Sequence, residues 1–302
     1  MKKLLLIFTA TILFFVLLFM LFGKKKLNIN TKDEWNEGTV EIAADSNLQS
    51  VLEPLAVIYE NYYPNTDIQF LYKNEDVVIT DFKQKKDKAI AINRLLSDVE
   101  LNNISVAHDV SIEKITFAYD AIAIITNKNN SDTIYTLSET EKNLQSTTKK
   151  LVFDNAKSGI ARTLMTVSNA APAYFKNAYT LSTIDDVLKY IETNPNAIGF
   201  IPYHLLSNRL DEKAKYIRNN FKILPVAYKD TIVAISQQSI ANEKYPLVRP
   251  ISIYIGNCPE QVIQGFTSFL LKRQIAKAVL LSGLIPQNMP VREVVVTDEF
   301  NP

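Results

Sequence analysis

The sequence predicts an α/β protein with two lobes that are joined by two crossover strands and preceded by a transmembrane helix. Strand-like and helix-like patterns alternate along nearly the whole chain, which is typical of α/β folds. Two strong strand patterns, residues 116–126 and 248–255, divide the chain into a middle part and two outer parts. This division favours two lobes joined by two crossovers: the chain passes from the first lobe to the second and later returns to the first. The membrane helix is predicted from an uncharged run of 20 residues at 4–23.

The composition is that of a folded chain with a slightly acidic body. Of the 302 residues, 47% are hydrophobic, so the chain can form one large apolar core or two smaller ones. Charged residues make up 22%. The net charge is +1, but five lysines flank the apolar run, and the remaining 28 of the 33 basic residues face 32 acids. Such a body lacks the concentrated basic face that nucleic-acid binding requires. The single cysteine, Cys258, excludes an intramolecular disulfide and a multi-cysteine zinc site.

The N-terminal run is long enough to span a bilayer. As a helix it would reach about 30 Å, the thickness of the hydrocarbon core, whereas the apolar part of a cleaved signal peptide has about 7–15 residues. Three lysines follow at 24–26, and neither an Ala-x-Ala site nor a cysteine for lipid attachment stands there. We therefore expect an uncleaved signal anchor at 1–26 and a polar tether at 27–38, with cleavage as the alternative. The lysines are nearly balanced on the two sides of the run, so they do not set its orientation.

The first part of the body predicts three strands and three helices before the long strand 116–126. Strands are predicted at 39–43, 67–72 and 89–92, and helices at 46–62 and 76–88. Ser46 and Gln49 form a capping-box pattern for the first helix, and Ser97 with Glu100 forms another that opens a short third helix.

The rest of the body repeats this alternation. Strands are predicted at 151–153, 197–201, 222–228, 248–255 and 291–296. Helices are predicted at 158–168, from the cap at Ser182 and Thr183 to about 193, and at 260–281, where the helix is expected to be broken in the middle and to stop at Gly283. The expected lobes are 39–117 plus 252–302 and, between them, 118–251.

Small hydroxyl residues that open helices directly after strands are the candidate binding residues. Ser46 follows the first strand, and Ser158 with Gly159 follows the strand 151–153. Free amides at a helix N-terminus bind anions, and glycine lets a ligand approach the backbone closely. Arg162 lies one helical turn after Ser158, and Arg94 follows the strand 89–92. All these positions lie at the carboxyl ends of strands, where open α/β sheets bind ligands.

Three of the candidates also have an ordinary structural interpretation. Ser46 could serve only as a helix cap, Arg162 could be a surface arginine, and Arg94 could pair with Asp98 or Glu100.

Enzymatic motifs are absent from the sequence. It contains no Gly-x-Ser-x-Gly, His-Glu-x-x-His, P-loop or Gly-x-Gly-x-x-Gly pattern. The two histidines, His108 and His204, stand in no recognisable catalytic context and are expected to be ordinary core or surface residues. We therefore expect a protein that is not an enzyme and that needs no cofactor or metal.

Five segments resemble the phosphate-specific substrate-binding proteins of ABC transporters, in a divergent branch. The resemblance covers nearly the whole body, from 39 to 296. It is carried by GTVEIAADS at 38–46, YDAIAIITNKNN at 119–130, AIGFIP at 197–202, YPLVRP at 245–250 and GFTSFL at 265–270. In that family the segments YPLxRP and YDAxA mark the two crossovers between lobes.

The resemblance implies a two-lobed periplasmic-binding-protein fold with phosphate in the cleft between the lobes. Backbone amides, hydroxyls and an arginine would hold the phosphate, and these map to Ser46, the loop Ser158-Gly159-Ile160 and Arg94. The family's threonine is replaced by Ile160, and the glycine-rich turn near Ser46 is absent. The family's Ser/Gly loop after the second strand is replaced by KNED at 73–76, whose two acids would repel a dianion.

Two hypotheses about function follow. The first is a solute-binding protein that binds phosphate, or a similar small oxyanion, and passes it to an ABC permease. The second is a membrane-tethered sensory or interaction protein that reuses the fold without tight phosphate binding. Under both, the body would lie on the periplasmic or extracytoplasmic side, anchored to the inner membrane by the N-terminal helix.

Overall fold

The computed structural model describes residues 36–155, 157–208 and 211–289. Within these ranges no helix is both long and apolar enough to cross a membrane. The apolar run 4–23, the tether as far as residue 35 and the strand expected at 291–296 lie outside the described residues, so these expectations stay predictions.

Alternating strands and helices fill the described part of the chain, as the sequence predicts. The strands are β1 (Gly38–Asp45), β2 (Thr66–Lys73), β3 (Ala89–Ile92), β4 (Glu113–Asn127), β5 (Tyr135–Thr136), β6 (Lys150–Phe153), β7 (Tyr179–Thr180), β8 (Ala197–Pro202), β9 (Phe221–Leu224), β10 (Val226–Tyr228), β11 (Thr231–Val233), β12 (Val248–Ile255) and β13 (Ile285–Pro286).

The helices that connect them pack on the faces of the sheets. They are α1 (Gln49–Tyr62), α2 (Glu75–Lys83), α3 (Asp98–His108), α4 (Thr140–Leu144), α5 (Gly159–Ser168), α6 (Ile184–Thr193), α7 (His204–Ser207), α8 (Glu212–Asn220), α9 (Gln237–Ala241), α10 (Val262–Leu270) and α11 (Arg273–Leu281).

The main sheet runs continuously through both lobes. Its strand order is β2-β1-β3-β12-β4-β8-β6-β7, with β9 and β13 also paired to β4. The strands β2, β1 and β3 are parallel to one another, and so are β8, β6 and β7. Between these two parallel sets, β4 and β12 run antiparallel to each other. The carboxyl ends of each parallel set lie at one edge, which is where α/β sheets place ligands.

The strands β4 and β12 are the two crossovers, because each contributes side chains to both apolar cores. On β4, Phe117 and Ala118 pack in the first lobe, whereas Ala121–Ile125 pack in the second. The first lobe has helices on both faces of its sheet, with α1 and α10 on one side and α2 on the other. The predicted α/β class and the two-lobed architecture are confirmed. The predicted residue boundaries of the lobes stay a prediction.

The start of the first helix was assigned wrongly from the sequence. Ser46 and Gln49 do not form a capping box: the Asp45 side chain accepts a hydrogen bond from the Asn47 amide at 3.1 Å, and a short 3₁₀ turn over Ser46–Leu48 precedes α1. Aspartate is as good a cap as serine, and a pattern alone does not decide between neighbours. The capping box of Ser97 and Glu100 is confirmed.

Three other elements differ from or refine the expectation. Helix α2 ends at Lys83 rather than Lys88, since Lys85 adopts a positive φ of 60° that ends the helical geometry. The strand expected at 222–228 is divided into β9 and β10 because Pro225 cannot donate to a strand ladder. The long helix expected at 260–281 is broken into α10 and α11, as predicted, and Gly283 at φ +91° follows its end.

Candidate ligand-binding cleft

A cleft of about 950 Å³ lies between the two lobes at the carboxyl ends of β1 and β6. Among the described residues that line it, five are acids and only one is a lysine. That lysine, Lys213, is already paired with the Asp185 carboxylate. The acids are Asp45, Glu75, Asp154, Asp185 and Asp211. The described walls of the cleft are therefore strongly acidic.

The N-terminus of α5 forms part of the cleft wall. Ser158 is 5% exposed, and its hydroxyl caps α5 by accepting a hydrogen bond from the Ala161 amide at 3.3 Å. The amides of the first helical turn have no acceptor within the helix, so they are donors suited to an anion. Gly159, the first residue of α5, is buried and has no side chain to cover these donors.

The Arg94 guanidinium is buried in a network of ion pairs next to this helix terminus. Its Nε donates to Glu75 Oε1 at 2.8 Å, and its Nη1 and Nη2 donate to the two carboxylate oxygens of Glu100 at 2.9 and 2.8 Å. Burial opposes ionisation of Glu100, but Arg94 and Ser97 outweigh it and lower the pKa of Glu100 to about 2. Arg94 thus pairs with two carboxylates of its own lobe.

The Glu75 carboxylate lies between the lobes, against the first turn of α5. Glu75 opens α2 in the first lobe and is 3% exposed, and a Cβ placed on Gly159 would collide with its Oε2. Its Oε1 accepts from Arg94, whereas its buried Oε2 has no hydrogen-bond partner among the described residues. Burial raises the pKa of Glu75 despite the attraction of Arg94.

Two further carboxylates face each other at the ends of β1 and β6. Asp45 ends β1 and Asp154 follows β6, and Asp154 Oδ2 accepts a hydrogen bond from Asn47 Nδ2 at 2.7 Å, which links the two lobes. Burial, and then the nearby charges of Glu75 and Asp154, raise the pKa of Asp45 to about 8. Burial and the neighbouring acids thus favour the protonated form of Asp45.

A buried polar network holds the two crossovers together behind the cleft. Asp120 on β4 is fully buried and lies opposite Arg249 on β12, whose Nη2 is 3.4 Å from Asp120 Oδ2. The same carboxylate accepts from Asn93 Nδ2 and from the backbone amide of His204, and the Nδ1 of His204 lies 2.9 Å from it. Burial alone would raise the pKa of Asp120, but His204 and Arg249 hold it below its usual range. One carboxylate thus connects both lobes and both crossovers.

A metal site is not apparent in this arrangement. Among the described residues, no group of three or more histidine, cysteine, aspartate or glutamate side chains is placed to hold an ion.

Most of the chain matches the model of a known protein family. The family model of the PBP superfamily domain matches residues 31–274, most of the chain. The chain belongs to the PBP superfamily. This confirms the resemblance to ABC-transporter binding proteins at the level of the superfamily, which is one of ligand-binding proteins rather than a class of enzymes. No curated protein sequence gives a significant match.

Solved structures with the same fold include binding proteins and a regulator. A Clostridium perfringens protein assigned as a phosphate ABC transporter substrate-binding protein, with bound phosphate, is 18% identical, with a TM-score of 0.68 over 83% of this chain and 100% of that one. An ABC-type phosphate transport receptor from Vibrio cholerae is 19% identical, with a TM-score of 0.61 over 82% and 100%. The reduced form of OxyR from N. meningitidis is 11% identical, with a TM-score of 0.54 over 83% and 99%. At these identities the likeness establishes the PBP fold alone.

The five predicted binding residues of this PBP chain lie near one another but play different parts. Ser46, which is exposed, and Ser158 line the cleft, and Gly159 lies directly behind Ser158. Arg94 is paired with Glu100, one of the two partners that the sequence suggested. Arg162 is half-exposed, with its Nη1 3.7 Å from a Glu100 oxygen. Whether any of them binds a ligand stays a prediction.

Sequence reasoning missed several residues of the cleft and its floor. It named the acids of the KNED segment only as a source of repulsion, yet Glu75 reaches the centre of the site. Asp45 and Asp154 stand at the ends of β1 and β6, so the strand-end rule that selected the serines could have selected them too. His108 is a core residue as expected, bonded to the Phe82 carbonyl at 2.6 Å. The partnership of His204 and Asp120 had no local sequence signal, because 84 residues separate the two.

Proposed function

We propose that the chain is an extracytoplasmic solute-binding protein that holds inorganic phosphate, or a similar small oxyanion, in the cleft for delivery to an ABC permease. The observation that carries this proposal is the N-terminus of α5, capped by Ser158 and opening onto the cleft at the carboxyl end of β6. Membership of the PBP superfamily and the phosphate-bound neighbour from Clostridium perfringens support it.

In this proposal the five predicted residues contribute to binding in two ways, through hydrogen bonds and through positive charge. Ser46, Ser158 and the backbone of Gly159 donate hydrogen bonds to the oxyanion. Arg94 and Arg162 supply positive charge from behind the helix terminus, with Glu100 fixing their orientation. No group is assigned a role in bond cleavage, so binding and release are the whole cycle.

The proposed location rests on the N-terminal segment and on the family resemblance. The run 4–23 would anchor the protein as an uncleaved helix in the inner membrane. Because the flanking lysines do not set the orientation, the periplasmic or extracytoplasmic position of the PBP body rests on the resemblance to ABC-transporter binding proteins. Protease treatment of spheroplasts tests this arrangement. An accessible body that stays with the membrane fraction supports it, and a body released into the soluble fraction contradicts the uncleaved anchor.

The binding proposal is tested by thermal unfolding of the full-length chain in detergent, with millimolar phosphate and with sulfate as the control anion. Ligand at 100 times its dissociation constant stabilises a protein by about 2.7 kcal/mol, which corresponds to roughly 5 °C here. We expect this rise with phosphate and a reduced rise for Ser158→Ala. An unfolding temperature that neither anion changes contradicts the proposal.

A second candidate function is favoured by the acids of the cleft. Five acids and a single, already paired lysine line the cleft, so its described walls offer a dianion little positive charge. The fold is shared with OxyR, so it is not confined to transport. A membrane-tethered sensory or interaction protein would show no stabilisation by phosphate but would retain a specific membrane partner on chemical cross-linking.

A further inference from the structure

The cleft is larger than a bare oxyanion needs. Its volume is about 950 Å³, whereas a water molecule takes up about 30 Å³ of the liquid and a phosphate ion is only a few times larger. Clefts of about 300–1,000 Å³ are typical sites for small organic molecules. An anion at the N-terminus of α5 therefore leaves room in the same cleft for an organic group attached to it.

Part of the cleft wall is apolar. Side chains of α1 and α11 line it, among them Pro54, Ile58, Ala278 and Leu281. An inorganic ion gains nothing from such a wall, whereas the carbon skeleton of an organic ligand would be removed from water against it. The wall therefore favours a ligand with a carbon skeleton.

A buried histidine offers the cleft an unused hydrogen-bonding atom. His204 lines the cleft and is 3% exposed, and its Nε2 has no hydrogen-bond partner among the described residues. Leaving a buried polar atom without a partner costs free energy, so such an atom in the wall of a cleft marks a candidate position for a ligand group.

The Asp120 carboxylate fixes which hydrogen bond His204 can make. Its Oδ2 lies 2.9 Å from His204 Nδ1, and its Oδ1 accepts the backbone amide of the same residue at 3.1 Å. Asn93 and Arg249 also donate to this carboxylate, so it acts as an acceptor and Nδ1 carries the proton. The neutral imidazole then has its free lone pair on Nε2, at the opposite edge of the ring. His204 is therefore held in place to accept a hydrogen bond from a ligand.

The carboxyl groups of the cleft also favour a ligand that donates hydrogen bonds. Asp154 and Asp211 line the cleft, and a carboxyl group can accept a hydrogen bond whether or not it is protonated. Lys213, the one lysine among the described lining residues, is already paired with Asp185. A ligand with hydroxyl groups can donate to these acceptors, which an oxyanion alone does poorly.

We propose that the ligand of the cleft is a phosphate monoester of a small polyol, with its phosphate at the N-terminus of α5 and a hydroxyl group of its organic part donating to His204 Nε2. This inference rests on the proposed function, because the oxyanion position is the same. It goes beyond that function by naming the class of molecule that carries the oxyanion and the residue that recognises its organic part.

The test is isothermal titration of the full-length chain in detergent at pH 8 with inorganic phosphate, propyl phosphate and glycerol 3-phosphate. The two esters have the same chain length and the same charged group, and they differ in the hydroxyl groups of the chain. We expect glycerol 3-phosphate to bind at least tenfold more tightly than propyl phosphate, because a site built to hydrogen-bond a hydroxyl group rejects the analogue that lacks it.

A substitution assigns this preference to the histidine. In His204→Asn the side-chain amide can still donate to Asp120, but no atom remains at the position of Nε2. The ratio of the two ester affinities should fall at least fivefold. The matched control is His108→Asn, the same substitution at a histidine that is not among the described residues lining the cleft, and it should keep the wild-type ratio. The wild-type comparison decides alone if His204→Asn does not fold.

The outcomes separate this inference from the proposed function. If the wild type binds inorganic phosphate and does not prefer glycerol 3-phosphate to propyl phosphate, the inference is overturned and oxyanion binding stands. A preference that His204→Asn retains, or that His108→Asn also loses, overturns the assignment to His204. Binding of glycerol 3-phosphate without binding of inorganic phosphate supports the inference and contradicts uptake of the inorganic ion. An absence of binding by all three probes overturns both.

Discussion

Replacing Asp45 by asparagine should change how the stability of the protein depends on pH. Asp45 is 3% exposed, and its pKa is raised from 3.8 to about 8 by burial and by the carboxylates of Glu75 and Asp154. Between these two values the folded state binds a proton that the unfolded state has released. The free energy of unfolding of the wild type therefore falls as pH rises through this window.

The magnitude follows from the width of the window. One pKa unit corresponds to about 1.4 kcal/mol. A rise of two pH units inside the window should therefore lower the free energy of unfolding of the wild type by about 1–3 kcal/mol. The lower figure applies if Asp45 and Glu75 titrate together as a pair. Asparagine keeps the side-chain oxygen that accepts the Asn47 amide, so the turn before α1 stays capped. The variant removes the titration and leaves the local hydrogen bond.

The assay is urea unfolding of wild type and Asp45→Asn at pH 5, 6 and 7, followed by circular dichroism. We expect the two proteins to be most alike at pH 5 and the variant to gain about 1–3 kcal/mol relative to the wild type by pH 7. A difference between the two proteins that stays the same at all three pH values would refute the reasoning, because it would mean that Asp45 does not titrate in this range.

Three other substitutions probe the contacts around the cleft. Asp120→Ala should cost about 3–5 kcal/mol in urea unfolding, because it leaves a buried arginine and histidine without their shared carboxylate, and a cost below 1 kcal/mol would contradict that role. Glu100→Gln should cost about 1–3 kcal/mol at pH 7, since the folded-state pKa of about 2 lies below the ordinary 4.5. This cost should disappear as pH falls from 4.5 to 2, and a cost that persists at pH 2 would exclude the ion pair as its cause. Gly159→Ala should cost about 1–3 kcal/mol because the added methyl group collides with the Glu75 carboxylate. Glu75→Ala should relieve most of that cost in the double variant, and an equal cost of Gly159→Ala in the wild type and in Glu75→Ala would exclude the contact.

The architecture could be read from the sequence because its signals are local. Apolar alternation marks β1 and β12, and hydroxyl caps mark the starts of α3 and α5. The boundaries that failed were those that depend on one residue among several suitable ones. Asp45 rather than Ser46 caps the first turn, and Pro225 divides what reads as one strand.

The location of the cleft could also be predicted, but only part of its charge could, through the two acids of the segment 73–76. The rule that ligands bind at the carboxyl ends of parallel strands placed Ser158 correctly at the cleft. The same rule does not say which side chains face each other across two lobes. Glu75 meets Gly159 across 84 positions of sequence, and Asn47 meets Asp154 across 107, so neither contact leaves a pattern in the chain.

The most direct test of the account is an anomalous difference map from crystals of the protein grown with arsenate, a heavier analogue of phosphate. We expect one strong peak beside Ser158 and Gly159 at the N-terminus of α5, with the Glu75 carboxylate turned away from it. A map at saturating arsenate that shows no peak in the cleft, with Glu75 still against Gly159, would contradict oxyanion binding by this protein.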